Sequence, residues 1–238
     1  MQHDNYLHAG KAPAPLRHHW PLVSTLGLLT AIPAVPAAII LLLLLLAPTE
    51  STLFVALVNP HYLTSPWAIW VHGSSGVLFF LAMPWQFSPK LRLQRPAWHR
   101  VSGRLTLLSA YVMAVSGVWM HLSLTPDERG MRFIGLLVLS GAMIVAFSLA
   151  FYAVLQRQFE RHRRWMYRAV AITLAAVTPL FIEALAEQTL GQLALFKPLL
   201  TPFFHDYSRL LGILVNLLVA QWLLQAAPTP TPVKAALA

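Results

Sequence analysis

Six apolar stretches, each close to the length that a helix needs to cross a bilayer, constrain this sequence more than any other feature. A membrane-spanning helix requires about 20 mostly apolar residues. Hydrophobic residues make up 57% of the chain, charged residues 11%, and the mean hydropathy is +0.61, whereas soluble domains have about 25% charged residues. The predicted spans are residues 22–46, 67–87, 101–122, 133–155, 169–186 and 210–226.

The fold class that follows is an all-α polytopic membrane protein with six transmembrane helices. Helices two to five are expected to form a four-helix core, with helices one and six flanking it. We divide the chain into a flexible N-terminal tail (1–21), a six-helix transmembrane domain (22–226) and a disordered C-terminal tail (227–238). Four histidines lie in the N-terminal tail, without the fixed spacing of a metal site.

Basic residues are distributed unevenly between the two sides of this bundle. Six spans place both termini on one side, and that side holds all 17 Lys and Arg residues except Arg129, Arg132, Lys197 and Arg209. Because cytoplasmic segments are enriched in Lys and Arg, we expect a bacterial inner-membrane protein with both termini in the cytoplasm. The net charge of +9 does not indicate nucleic-acid binding, since the arginines flank apolar spans; membrane lipids are the expected partners.

Two basic stretches stand at the mouths of helices three and five. One is KLRLQRPAWHRVSGR, residues 90–104, and the other is RQFERHRRWMYR, residues 157–168. Each contains a histidine beside arginine and tryptophan, His99 in the first and His162 in the second. We expect these two imidazoles to meet at the same depth of the cytoplasmic leaflet.

Histidine and glycine recur at an interval of four residues. His72 and His99 are each followed by a glycine at this interval, and His121 is preceded by one. Residues four apart lie on the same face of a helix, so each pair presents a nitrogen ligand beside a gap that suits a flat macrocycle. The alternative is that the glycines permit close helix packing and the histidines anchor in the head groups.

The depths of these histidines predict two pairs of heme ligands. His99 and His162 form an inner pair, and His72 with either His121 or His205 forms an outer pair. Heme iron takes one axial ligand from each face, so the expected cofactor is heme b, one or two per chain. The arginines expected to bind its propionates are Arg100, Arg104, Arg164 and Arg168. As an alternative, the same arginines form a phospholipid-binding collar.

Four motifs carry a family resemblance. They are His72 with Gly76, WQFSPKLR at 85–92, WHRVSGR at 98–104 and HRRWMYR at 162–168. In this order the sequence resembles a family of bacterial predicted membrane proteins of unknown function, over roughly residues 67–180. The resemblance implies an integral membrane protein and no established activity. Thr178 and Pro179 stand where the family is expected to have an arginine.

The helical layout is also loosely similar to the cytochrome b561 diheme fold. In that fold the histidines of helices three and five share one heme, and those of helices two and four share the other. His99 and His162 match the first pair by helix number. Helix four has no histidine here, so the resemblance implies one heme as readily as two.

Three functions are compatible with these features. The leading hypothesis is a b-type heme protein that passes electrons between the quinone pool, or a partner, and an acceptor. The second is an accessory or assembly subunit of a larger respiratory or photosynthetic membrane complex. The third is a small proton-coupled transporter that uses Glu183, which shares a helix face with Glu187. The sequence has no cysteine and no hydrolase or nucleotide-binding motif.

Overall fold

A computed structural model of the chain describes residues 20–46, 48–189 and 197–226. The predicted tails, 1–21 and 227–238, lie outside the described residues apart from the first two positions of α1. The helices are α1 (Trp20–Leu46), α2 (Thr52–Leu57), α3 (His61–Thr64), α4 (Pro66–Ala82), α5 (Pro89–Gln94), α6 (Pro96–Leu124), α7 (Met131–Leu155), α8 (Phe159–Leu174), α9 (Thr178–Thr189) and α10 (Lys197–Ala226). A short 3-10 helix, Pro84–Phe87, follows α4.

The prediction of an all-α protein with six spans is confirmed. Five helices are long and apolar enough to cross a membrane: α1, α4 with the 3-10 helix, α6, α7 and α10. Helices α8 and α9, with a bend of 52° between them, are long and apolar enough only when taken together, and they correspond to the predicted fifth span. Many large apolar side chains on these helices are exposed, as is expected of surfaces that face lipid.

Helices α4, α6, α7 and α8 form the centre of the molecule, as predicted. Twelve of the thirteen buried residues in the main apolar cluster lie on these helices or directly after α4 or α8. The rings of Phe79 and Phe147 meet edge to face at its middle, with 6.1 Å between their centroids. Alanines around them let the helix backbones approach closely. Helix α1 packs against α4, and α10 packs against α7 and α8.

The segment between the first two spans was predicted to be a loop, and the structure places two short helices in it. Ser51 caps α2 by accepting a hydrogen bond from the backbone N–H of Phe54. Phe54 and Val58 are buried against Leu43 of α1. Apolar side chains in this segment therefore fasten it to the end of the first span.

The fifth span differs from its predicted limits. The prediction was one uninterrupted helix over 169–186, but α8 begins ten residues earlier and ends at Leu174. The basic stretch is therefore helical and continues directly into the span. The break follows from Pro179, which lacks a backbone N–H and whose ring would clash with the carbonyl of Ala175 in a continuous helix.

Helix α10 fits against this break. A Cβ on Gly212 would lie 3.1 Å from the carbonyl oxygen of Ala175, so only glycine allows this approach. One turn further on, the Asn216 side-chain N–H donates to the carbonyl of Ala171 at 3.0 Å and to the Thr178 hydroxyl at 2.7 Å. These bonds connect both halves of the broken span to α10, which begins thirteen residues before its predicted start.

A tight turn joins α7 to α8. Arg157 lies in the left-handed region with a φ of 56°, and the backbone N–H of Gln158 donates to the carbonyl of Ala153 at 2.8 Å. This is the geometry in which a helix commonly ends. The turn directs α8 back along α7 and brings His162 against the last turns of α7.

Candidate functional site

The structure brings His99 and His162 together at the arginine-rich end, which we define by residues 90–104 and 157–168. His99 lies in the first turn of α6 and His162 in the first turn of α8, close enough to interact electrostatically. Helix α7 packs against both α6 and α8, which have few direct contacts with each other. Both imidazoles are partly buried. The two histidines of the predicted inner pair thus lie on different helices, within electrostatic range of each other.

The hydrogen bonds of the two rings differ. The Nδ1 of His162 lies 2.9 Å from the carbonyl oxygen of Ala150, so Nδ1 carries the proton and donates it. This leaves Nε2 as the basic nitrogen, as in most metal-bound histidines. The Nδ1 of His99 is buried and has no hydrogen-bond partner within the described chain. A buried polar atom of this kind calls for a ligand or solvent partner.

The gap expected beside His99 is filled by a side chain. A Cβ on Gly103 would lie 3.0 Å from Oε1 of Gln86. The amide nitrogen of Gln86 donates to the Ser102 hydroxyl at 2.6 Å and to the backbone carbonyl of His99 at 3.3 Å. The glycine thus admits a glutamine that fixes the first turns of α6, and a macrocycle would have to lie on another side of His99.

The four arginines predicted to bind propionates are arranged differently from one another. Arg164 lies 3.3 Å from Glu160 and is exposed. The guanidinium of Arg168 lies over the Trp165 ring, 5.0 Å from its centroid, and donates to Gln221 of α10. Arg100 and Arg104 are exposed, and Arg100 lies within electrostatic range of His99. None of these contacts tests propionate binding, which stays a prediction.

Arg92 of α5 is a residue that the sequence did not single out. It acts electrostatically on both His99 and His162. It belongs to a six-residue helix that Ser88 caps by accepting from the N–H of Leu91. The sequence of the 3-10 helix and α5 did not indicate that this arginine would lie near the two histidines.

The predicted outer pair, His72 and His121, lines a single cavity but makes other contacts. The Nδ1 of His72 lies 3.1 Å from the Ser116 hydroxyl, and its ring covers Gly117. His121 uses both nitrogens, Nε2 with the Glu128 carbonyl at 2.8 Å and Nδ1 with Thr125 at 3.3 Å. A second heme would require His121 to give up one of these contacts, so the single-heme alternative fits this geometry better.

This cavity has a volume of about 410 Å³ and lies between α1, α4, α6, α7 and the break after α8. Its walls are mainly apolar, and its polar lining includes the two histidines and two arginines, Arg132 and Arg209. We call this region the cavity end. A second cavity of about 530 Å³ shares Arg132 and Arg209 with the first and is lined by Glu183, Glu187 and other residues of α9 and α10.

Arg209 is the other residue that the sequence reasoning missed. The predicted sixth span began one residue after it, which assigned it to a loop. In the structure it lies well inside α10 and is partly buried. Its Nη1 donates to the carbonyl of Arg132 at 2.9 Å. The available signal was a charged residue at the edge of an apolar run, which in a membrane helix is a mark of function.

The number of histidines at this end matches the ligand requirement of heme iron more closely than that of a bare metal ion. Within the described ranges no group of three or more His, Asp or Glu side chains is placed to hold a metal. A porphyrin supplies four ligands itself, so two axial imidazoles complete its iron. The free Nε2 of His162 and the unpartnered nitrogen of His99 meet that requirement in kind.

Comparison with known proteins gives the family but no relative of known activity. No curated protein and no solved structure matches the chain, and the similarity to the cytochrome b561 fold therefore stays a prediction. The sequence matches the family described as predicted membrane protein (DUF2306) over residues 69–224, which includes α6, α7, α8, α9 and most of α4 and α10. The chain thus belongs to this family of integral membrane proteins.

Proposed function

We propose that this protein is a b-type heme protein of the bacterial inner membrane, with one heme held between His99 and His162. The observation that carries the proposal is the approach of these two histidines from α6 and α8, two helices that α7 keeps apart. Bound there, heme supplies one-electron transfer. The arginine-rich end faces the cytoplasm in this proposal, because Lys and Arg are enriched in cytoplasmic segments.

The chain's own residues would orient the ligands and balance their charge. Ala150 fixes the ring of His162 through its carbonyl, and Gln86 holds the backbone of the His99 turn. Arg92 lies within electrostatic range of both histidines, where it would pair with a carboxylate of the cofactor. Exposed arginines around this site would bind anionic lipid head groups.

The location near one membrane face limits the electron partners. A heme at the arginine-rich end exchanges electrons with molecules that reach that face, which are a quinone from the bilayer or a subunit of a larger membrane complex. We propose the quinone pool as the donor or acceptor. The single-heme geometry favours transfer along one face over transfer across the whole bilayer.

The experiment is a reduced-minus-oxidised absorption spectrum of the full chain purified in a neutral detergent. We expect a Soret band and the sharp α-band of bis-imidazole heme b. His99→Ala and His162→Ala should each remove it. The matched control is His61→Ala, an exposed histidine of α3, which should leave the spectrum unchanged.

Two results would count against this function. A chain that is well folded after expression with excess heme, yet lacks the Soret band, contradicts it and favours the accessory-subunit alternative. A spectrum that survives loss of His99 and of His162 places the heme elsewhere. His121→Ala sharpens the test, since one heme on the inner pair predicts no change in the amount of heme bound.

A further inference from the structure

The cavity end contains an arginine without a neutralising partner. No carboxylate lies within salt-bridge distance of Arg209 among the residues that the structure describes. Within the described ranges its hydrogen bond goes to the backbone carbonyl of Arg132, which occupies one of its five N–H donors. A partly buried guanidinium in a membrane helix is costly unless something pairs with it.

A second arginine stands beside it. The backbone carbonyl of Arg132 accepts the hydrogen bond from Arg209, and both residues line the same two cavities. Arg132 has two exposed partners, the carboxylate of Glu128 at 3.6 Å and Nε2 of His205 at 3.0 Å. Both arginines line the apolar cavity, which has no carboxylate among its described lining residues, whereas Glu183 and Glu187 line the second cavity. The chemistry that such a site recognises is an oxyanion, since arginine binds carboxylate and phosphate with paired N–H donors.

Apolar space lies directly behind these two arginines. The 410 Å³ cavity extends from them to Phe79, Leu139 and Met143 near the centre of the bundle. Its volume falls in the range of small-molecule sites. No Asp or Glu is found among its lining residues in the described part of the chain. A charged head at one end and apolar walls beyond it are complementary to an amphiphile.

The second cavity gives this site a route outward. It meets the first at Arg132, Ala176 and Arg209, and its walls are more polar. Glu183 and Glu187 line this second cavity but not the apolar one. An amphiphile whose tail enters the inner cavity would keep its head at the two arginines, with water-filled space behind the head.

We infer that the cavity end binds an anionic amphiphile, with its carboxylate or phosphate at Arg209 and Arg132 and its acyl chain in the apolar cavity. The site lies away from the His99–His162 pair and does not depend on heme. Arg209 supplies the charge, and the bend between α8 and α9 supplies one wall of the cavity.

Binding is measured with the full chain in dodecyl maltoside micelles, using the fluorescent fatty acid cis-parinaric acid. We expect saturable fluorescence above that of empty micelles. Arg209→Gln should weaken it about tenfold or more, since a hydrogen bond to a charged group is lost. Gly76→Leu should abolish it, because a Cβ there has only Met113 Sδ within 4 Å, at 3.9 Å, and the added leucine atoms enter the cavity.

The matched controls are changes of the same kind outside the site. Arg129→Gln removes an exposed arginine at the same end, and Gly141→Leu adds the same bulk where nothing lies within 4 Å. Both should bind like the parent chain. Thermal unfolding of all four variants distinguishes loss of the site from loss of the fold.

Competition identifies the head group. Palmitate or lysophosphatidic acid should displace the probe, and the stronger of the two shows whether the natural head is a carboxylate or a phosphate. Methyl palmitate and inorganic phosphate should not displace it. The inference would be overturned if Arg209→Gln bound the probe as tightly as the parent chain, or if methyl palmitate displaced the probe as well as palmitate does. Either result would show that binding does not require the charge of Arg209. Displacement of the probe by inorganic phosphate would overturn the inference that the acyl chain contributes to binding.

Discussion

At the arginine-rich end many cations are exposed and surround two partly buried histidines, whereas at the cavity end Arg209 is partly buried among the helices beside the more exposed Arg132. The exposed arginines have simple partners: Glu160 holds Arg163 at 2.7 Å and Arg164 at 3.3 Å. Such surface pairs contribute at most about 1 kcal/mol each. Arg209, in contrast, has a carbonyl as its hydrogen-bond acceptor and a second guanidinium as its neighbour.

This difference shows that the number of exposed charges relates to membrane orientation and lipid contact, whereas the burial of one charge relates to ligand binding. A crowd of exposed arginines sets the orientation of the chain and its contact with lipid head groups. One sheltered arginine has a desolvation cost that a ligand can offset. The candidate sites at the two ends therefore rest on different features, paired imidazoles at one and an unpaired cation at the other.

The largest effect is expected where the cavity end is packed most closely. Gly212→Ile should destabilise the fold by roughly 1–3 kcal/mol or more, because the new side chain meets the backbone of Ala175, which cannot move aside as a side chain can. The measurement is unfolding in mixed micelles with increasing SDS. Gly141→Ile is the control and should be near neutral; an equal loss in both would show that α10 does not depend on this contact.

A smaller loss is expected for Asn216→Leu. The amide joins α10 to Ala171 before the break and to Thr178 after it. Interhelical hydrogen bonds of membrane proteins contribute about 0.6 kcal/mol on average and up to about 1.7, so a cost of about 1 kcal/mol is expected from the same unfolding assay. If the variant is as stable as the parent chain, the packing of α10 alone holds the break.

At the arginine-rich end, Gly103→Ala should cost less than Gly212→Ile. The added methyl group meets the side-chain oxygen of Gln86 at 3.0 Å, and a glutamine can swing away at the cost of its hydrogen bonds, about 0.5–1.5 kcal/mol. Gln86→Ala should then have little further effect in the Gly103→Ala background. Additive losses from the two changes would contradict this coupling.

The smallest effect concerns the turn before the basic stretch. Arg157→Gly should stabilise the fold by roughly 0.5 kcal/mol, because glycine removes the penalty of a left-handed backbone, about 1–2 kcal/mol, but gains more freedom in the unfolded chain. Arg157→Ala, which has the same charge change without the relief, should not be stabilising. A gain in both variants would assign the effect to lost charge repulsion instead.

The local sequence predicts the helices but not their breaks and exact limits. The apolar runs predicted six spans and a central group of four helices, and both are confirmed. The limits were wrong where proline and glycine act on a neighbouring helix, as at the break in front of Pro179. Hydropathy predicts one continuous helix over 169–186. The bend depends instead on Pro179, whose ring would clash with the carbonyl of Ala175 in a continuous helix, and on the close approach of Gly212 in α10.

The same division applies to the candidate sites. The sequence predicts that His99 and His162 lie at one depth, because their basic stretches flank helices on the same side of the bundle, and in the structure the two residues are within electrostatic range. The proximity of Arg92 to the two histidines could not be predicted, since the position of its side chain depends on the direction of a short helix that follows a 3-10 helix. The pairing of His72 with Ser116 depends on which faces of α4 and α6 meet.

The sequence by itself determined that this chain spans a membrane several times, because about 20 apolar residues per run admit no other solvent. It also determined which residue types are available to bind a cofactor. Tertiary structure alone decided that Gln86 fills the space at Gly103 and that Arg209 is sheltered beside an apolar cavity. These outcomes depend on distances between helices that are far apart in the chain. Packing determines those distances, and they cannot be derived from composition.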